Sequence, residues 1–268
     1  VEIRPRSGTL SRYLWFIAAL ISSAGGVLFG GELDQPVSLP FQVGERLEYN
    51  LKWGFFPVGS AVMEVLPEDS QDTDGPKIIR FSVRTNSFAD TFYKVRTQIS
   101  STIDPLFTRA LRYEKSQSEG STRREIVVDY DYDRGEARYV QNDSSPVVTS
   151  IPGPVFDPLS IAYFFRLHPL QPGGETRLPT CDGKRFREVI VRAGQREKIK
   201  LPMGKVVAIG TTPAMENLGG VFNKSPKGML RVWYSDDERR VPVRVSSKVI
   251  VGSFTATLTS ANPPLLLK

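Results

Sequence analysis

The chain has 268 residues, 40% of them hydrophobic, a net charge of +6, and 22 Gly and 20 Pro spread along it as turn punctuation. That length supports a real hydrophobic core, and the even scatter of turn formers excludes long disorder outside the ends. Lys and Arg are interleaved with Asp and Glu along the strands, and no basic stripe with interleaved aromatics stands out, so nucleic acid is excluded as a partner.

Residues 1–31 differ from everything after them. Arg4, Arg6 and Arg12 precede an apolar run from Tyr13 to Ile21, and the small residues Ser22 to Gly26 follow. Basic, apolar and small segments in that order read as an export signal, with Ser22 and Ala24 at the small-residue positions of a cleavage site. The alternative is an uncleaved anchor running on through Val27, Leu28 and Phe29, which is short against the ~20 residues a span needs. Length and flanks favour the signal. The expected location is the periplasm of a Gram-negative bacterium, or another exported site; the alternative is attachment to the inner membrane through this segment.

From Phe41 onward the period is two. Leu47, Tyr49, Leu51 and Trp53 alternate with polar residues, Gly54 to Gly59 turns the chain, and Ser60 to Leu66 returns as the second strand of a hairpin. Pro67 to Pro76 is a solvated loop and Ile78 to Thr85 a third strand. Ser87 to Tyr93 suits one short helical turn, after which Val95 to Ile103 resumes the alternation. Leu111 to Gln117 and Thr122 to Tyr130 form another hairpin around Glu119-Gly120, and Val147 to Ile151 a short strand.

Pro152-Gly153-Pro154 then leads into the one convincing helix, residues 157–167. Asp157 suits a cap and Pro158 the first helical position, where a missing N–H is harmless. Leu159, Ile161, Ala162, Tyr163, Phe164, Phe165 and Leu167 go most of the way round it, so the helix must be wrapped. His168-Pro169 stops it. Strands follow at Glu175 to Leu178, Arg185 to Arg192, Gln195 to Leu201, Lys205 to Thr211, Gly228 to Tyr234, Val241 to Val249 and Val251 to Leu258. The expected fold is mainly β: a single curved antiparallel sheet or open half-barrel wrapping one buried helix at about 157–167. Residues 41–260 would form one domain, and 261–268 a frayed, disordered tail. Leu47, Tyr49, Leu51, Trp53, Phe164, Phe165 and Trp233 are expected in one core.

Candidate chemistry is sparse. There is no P-loop, no dinucleotide fingerprint and no nucleophile elbow. Cys181 is the only cysteine and His168 the only histidine, one flanking a turn and the other ending the helix, so a His/Cys metal site has no material and no cofactor is implied. Asp129, Asp131 and Asp133 share a strand face but lack the glycine and terminal acid of a calcium loop, and read as a solvated strand end. Asp236 and Asp237, beside Trp233 and Tyr234, could serve an acid-dependent hydrolase, but Ser235 to Glu238 reads as a hairpin turn, with Trp233 facing the core and Arg239-Arg240 restarting the chain.

Three motifs in order carry a family resemblance: Phe41-Gln42-Val43-Gly44-Glu45-Arg46-Leu47-Glu48-Tyr49 with Trp53-Gly54 and Val58-Gly59-Ser60-Ala61; Phe156-Asp157-Pro158-Leu159-Ser160 with Phe165-Arg166; and Val232-Trp233-Tyr234-Ser235-Asp236-Asp237 with Arg240-Val241-Pro242-Val243. From Phe41 to Leu258 the chain resembles the bacterial domain-of-unknown-function family 3108, whose members look like exported envelope proteins. It is similar, more weakly, to lipoprotein-carrier and RseB-type half-barrels, although those have more helices than one.

The resemblance implies a non-enzymatic envelope protein binding an apolar or amphipathic ligand, a lipid or lipoprotein, in a half-barrel. The alternatives are a structural or interaction module partnered by another envelope protein, and the hydrolase. No catalytic residue and no metal ligand is expected. The candidate ligand-binding residues are Tyr163, Phe164, Arg166 and Trp53, with Tyr163 and Arg166, as the polar-capable members of the helix, at a cavity mouth. The N-terminal segment is the expected membrane contact.

Overall fold

A computed structural model describes residues 39–69, 74–213, 230–248 and 253–267. The expected signal or anchor at 1–31 lies outside the described residues. No helix among those described is long and apolar enough to cross a membrane.

The strands in chain order are β1 (Arg46–Trp53), β2 (Phe56–Pro67), β3 (Lys77–Thr85), β4 (Val95–Ile103), β5 (Ala110–Glu119), β6 (Thr122–Asp131), β7 (Glu136–Gln141), β8 (Val147–Ser150), β9 (Glu175–Cys181), β10 (Phe186–Leu201), β11 (Gly204–Pro213), β12 (Leu230–Ser235), β13 (Pro242–Lys248) and β14 (Ser253–Asn262). Among the described residues two helices interrupt them: α1 (Ser87–Asp90) before β4 and α2 (Ile161–Leu167) between β8 and β9. The fourteen strands of the described residues form one antiparallel sheet in the order β8-β7-β6-β5-β4-β3-β2-β1-β14-β13-β12-β11-β10-β9. Each hairpin pairs with the next, and the chain's two halves meet where β14 joins β1. This is the mainly-β open half-barrel the alternation called for.

The sheet curls until its two edges approach. Tyr130 of β6 donates its hydroxyl to the Cys181 carbonyl of β9 at 2.7 Å, and Thr149 of β8 donates to the Gly183 carbonyl at 2.9 Å. Between the edges runs the segment leading to α2: Ala110 N–H donates to Val155, and Phe156 exchanges backbone hydrogen bonds with Pro179 and Cys181, each near 2.9 Å. Gly183 turns at φ +87°, and a Cβ there would lie 2.6 Å from Val128. Only glycine lets the β9–β10 turn press so closely on β6.

The helix sits on the concave face. Leu159 and Tyr163 belong to the main core with Leu47, Tyr49, Leu51 and Trp233, whereas Phe165 and Phe164 pack with Leu178, Val189, Val191 and Tyr234 in a second cluster. So α2 does separate two apolar masses, and the single core expected of those residues is two. Trp53, expected inside, is only half-buried, because it ends β1 at the rim of the sheet.

Other differences have local causes. The two strands expected at Arg185–Arg192 and Gln195–Leu201 are one sixteen-residue strand, β10, that begins at Phe186 and has a register shift between Ala193 and Arg196 absorbing the glycine at 194. Glu136–Gln141, unread in the sequence, is a strand because Ala137 and Tyr139 alternate inward. The expected frayed tail is instead held: Asn262 pairs with Arg46, the Pro263 and Pro264 carbonyls accept from the Arg239 guanidinium at 2.9 and 2.8 Å, and Leu265 is buried.

Candidate functional site

Two groups of residues at opposite ends of the half-barrel stand out. At the end where β1 begins, α2 finishes against a buried charge cluster. Arg166 and Glu45 are both fully buried and pair in bidentate fashion, Nη2 to Oε2 at 2.8 Å and Nη1 to Oε1. Arg239 adds a second guanidinium to Glu45 at 3.2 Å, while its carbonyl accepts from Arg166 Nε at 3.2 Å. The Arg166 guanidinium also lies over the rings of Phe41 and Tyr163, at 4.7 and 5.0 Å. Burial by itself would lower the Arg166 pKa, but the Glu45 hydrogen bonds and neighbouring charges outweigh it and hold the group above its ordinary value.

The start of the helix is equally tied. Asp157 accepts from the N–H groups of Leu159 (2.7 Å) and Ser160 (3.0 Å) and from the Ser101 hydroxyl, while Ser160 Oγ accepts from the Asp157 N–H at 2.8 Å. This reciprocal lock forms the turn over 158–160, and regular helix starts at Ile161, four residues later than the sequence-based start at 157. Burial pushes the Asp157 carboxyl up, against the pull of those hydrogen bonds.

The other end is built differently. Here Val83 and Val95 of β3 and β4, and the cross-strand pair Val245 and Ala256 of β13 and β14, line one space together with Leu51 and Val58, and no residue of α2 is among its lining. They leave an apolar cavity of about 290 Å³. Trp53, stacked on Phe254 with ring centres 6.2 Å apart, forms part of its wall, and Phe56, Phe88 and Phe92 its mouth. Val245 and Ala256 also line a second cavity of about 90 Å³, which ends under Pro158, Leu159 and Ala162 of the helix lead-in and α2. The two spaces follow one another along the interior.

The mouth is held by α1. Asn86 caps it, accepting from Ala89 N–H at 2.9 Å, and donates its amide to the Pro57 carbonyl at 2.9 Å. Arg96 pairs with Asp90 at 2.6 and 3.1 Å. The hydrogen bonds from Arg96 and Thr85 hold the Asp90 carboxyl below its usual value. This fixes Phe88 and Phe92, whose rings meet edge-on at 5.5 Å, in the open: Phe55 is 94% exposed, Phe92 75%, Phe56 62% and Phe88 57%. Such a cluster around an opening marks an interaction site far better than a lone exposed apolar residue does.

Polar groups stand next to this apolar wall. Paired residues of adjacent strands share a face, so the rows Val83–Thr97–Gln117 and Val95–Glu119 run from the cavity onto β5. Glu119 takes a hydrogen bond from Thr97 at 3.1 Å on one oxygen. Its other oxygen and both polar atoms of the Gln117 amide, all buried, have no hydrogen-bond partner among the described residues. Burial lowers Lys115, on the same face of β5, to about 8.

Of the four sequence-derived ligand residues, then, the structure brings Trp53 to the cavity and leaves the helix trio out of its lining. Tyr163 and Arg166 are in the core and not at a mouth, because an arginine on an apolar helix is tolerable only with a buried acid. Phe164 packs on Phe156, Phe165 and the His168 ring. Phe88 and Phe92 were missed as site residues, although two phenylalanines four apart on a short polar helical turn had no core to fill.

The acids of the β12–β13 turn are otherwise engaged. Asp237 accepts from Ser235 Oγ, Arg239 N–H and Arg240 N–H in the β12–β13 turn, and Asp236 pairs with Arg196 at 2.6 Å. Trp233 is buried, with the Arg231 guanidinium 4.5 Å over its ring, and donates its ring N–H to Glu197 at 2.8 Å. Asp129 pairs with Arg112 at 2.5 Å. No three His, Cys, Asp or Glu residues come together among the described residues as a metal would need. Cys181 is buried, its thiol pushed up to about 11.

A family model described as "Protein of unknown function (DUF3108)" matches residues 48–259. No curated protein matches the chain. Among solved structures, the crystal structure of a β-barrel-like protein of domain of unknown function DUF1849 from Brucella abortus is similar in fold, with a TM-score of 0.56 at 12% identity over 82% of this chain and 97% of that one.

Proposed function

The chain belongs to the DUF3108 family, and we propose that it is an exported envelope protein that holds an apolar or amphipathic molecule, a lipid or the acylated part of a lipoprotein, without catalysing a reaction on it. The supporting observation is the unfilled, apolar-walled space of about 290 Å³ that opens between Phe56, Phe88 and Phe92. Ligand pockets are mostly apolar with a few placed polar groups. Gln117 and Glu119, one strand away from the Val95 wall, are suited to meet the polar part of such a molecule. Export is supported by the order of basic, apolar and small residues over 1–26.

Native mass spectrometry of the protein purified from its own envelope, with extraction of whatever is bound, tests this. The expected result is one lipid per chain, lost in Ala256→Leu, which narrows the junction of the two spaces. Repeated ligand-free preparations that also fail to bind a fluorescent fatty acid would overturn it. They would favour the second reading, an envelope interaction module, for which the exposed Phe55, Phe56, Phe88 and Phe92 would be the contact surface.

A further inference from the structure

The cavity mouth carries a second pattern besides its aromatics. The segments that frame it, residues 52–57, 85–95 and 247–248, contain one acid, Asp90, and that acid is already neutralised by Arg96. They also contain three exposed lysines, Lys52, Lys94 and Lys248, and the ion pairs among the described residues give none of them an acid. Lys52 itself lines the cavity. One end of the half-barrel therefore presents outward aromatic tips, with cations among them and an apolar opening in the middle.

We propose that this end docks on an anionic phospholipid surface, with Phe55, Phe88 and Phe92 entering the headgroup region and the three lysines meeting the phosphates. Aromatic rings suit the boundary between headgroup and acyl chain, and juxtamembrane lysines gain from the negative surface potential of anionic lipid. Docking this way places the cavity opening against the acyl layer, so that an apolar ligand passes between bilayer and protein without crossing water, which at ~0.8 kcal/mol per exposed CH₂ opposes any other route. The inference rests on the cavity being a ligand site, and it adds where the ligand comes from or goes to.

Cys181 is buried and its thiol pushed up to about 11, so a dye on an introduced cysteine reports one place. Thr91→Cys lies between Phe88 and Phe92 and is exposed, and Asp133→Cys, in the β6–β7 turn, lies at the opposite end. Each full-length variant, labelled with an environment-sensitive fluorophore, is titrated with vesicles of phosphatidylcholine containing phosphatidylglycerol, and with phosphatidylcholine alone. The expected result is a blue shift with severalfold brightening at position 91, on the anionic vesicles only, and none at 133. Replacing Lys52, Lys94 and Lys248 by Gln should weaken vesicle affinity by about fivefold per lysine at low salt, the factor equivalent to ~1 kcal/mol each. Phe88→Ser/Phe92→Ser, both at exposed positions, should abolish the shift while leaving the circular dichroism spectrum unchanged.

An aqueous spectrum at position 91 on vesicles that nonetheless capture the protein would overturn the proposal, since the apolar run from Tyr13 to Ile21 would then account for capture. So would a shift that survives both variant sets, or one that appears only with a protein partner added. The cavity reading is scored separately by fatty-acid binding: bound fatty acid without a vesicle shift sinks the docking alone, and a shift without fatty-acid binding sinks the cavity and the ligand route with it, leaving only the surface contact.

Discussion

The two ends of the half-barrel share the same strands and differ in everything that fills them. Eight residues of β1, roughly 25 Å at ~3.3 Å per residue, separate Glu45 from the Trp53 rim. At the Glu45 end, α2, Phe41, Phe107 and the C-terminal segment fill the space, and Arg166, Glu45 and Arg239 satisfy one another. At the Trp53 end valines and Ala256 line an open space beside Leu51, Trp53 and Phe254, a four-residue helix stands at the lip, and Phe55, Phe56, Phe88 and Phe92 are exposed. The chain thus builds a full core where it needs one, so the space at the other end is a property of particular short side chains and not of poor packing throughout. Stability should reside in the first end and binding in the second.

Substitutions sort accordingly. Glu45→Ala strands a fully buried guanidinium and should cost ~3–5 kcal/mol in urea unfolding, whereas Glu45→Leu combined with Arg166→Met removes both charges and should recover most of that loss. A double variant no more stable than the single one would show that the pair is not the lock. Asp157→Ala should cost ~2–3 kcal/mol, from a lost cap and an orphaned Ser101 hydroxyl. Asp157→Asn keeps an acceptor for Leu159 and Ser160 and should cost less.

Because the folded Asp157 pKa is raised, its contribution runs opposite to that of most carboxylates. The folded state holds the proton more tightly, so the contribution is present below the unfolded value of ~3.9 and is lost as pH rises through the folded value. Relative to Asp157→Asn, the parent's melting temperature should therefore fall as pH rises across that window; an unchanged difference would mean that the carboxyl is not held protonated. Lys115 gives a smaller effect at the alkaline side. Its pKa is lowered to about 8 against ~10.4 unfolded, so the unfolded chain binds more protons between those values and stability from this group rises with pH there. Lys115→Met should abolish that rise in the melting curves. Ala256→Leu, which adds methyl groups where there is space, should change stability by less than ~1 kcal/mol, while Leu47→Ala in the filled end should cost ~2–5 kcal/mol.

The sheet was legible because its alternation is local: Leu47-Tyr49-Leu51 or Val95-Thr97-Ile99 declares a wet and a dry face without reference to the rest of the chain. The helix and its lead-in were legible for the same reason, since Asp157 and Ser160 form a short-range lock, but that lock makes a turn over 158–160 and the helix itself begins only at Ile161. What could not be read was pairing across distance. Glu45 lies 121 residues from Arg166, and nothing in its own surroundings marks it as buried. An arginine on an otherwise apolar helix was the available signal, and it called for a buried acid more than for a solvent-facing mouth. Trp53 was assigned to the core by its place in the alternation, but the pattern does not show that the sheet's rim is unfilled at that level. The cavity likewise arises from small residues on four strands and was invisible in any one of them.

The proposed division between a locked end and a ligand-binding end is tested most directly by titrating a fluorescent fatty acid into the parent, Ala256→Leu and Glu45→Leu/Arg166→Met proteins under conditions where all three are folded. The account predicts saturable one-to-one binding by the parent and by the charge-free double variant, and at least tenfold weaker binding by Ala256→Leu. Equal binding by parent and Ala256→Leu, or loss in the folded double variant alone, would contradict it and move the ligand site to the Arg166 end.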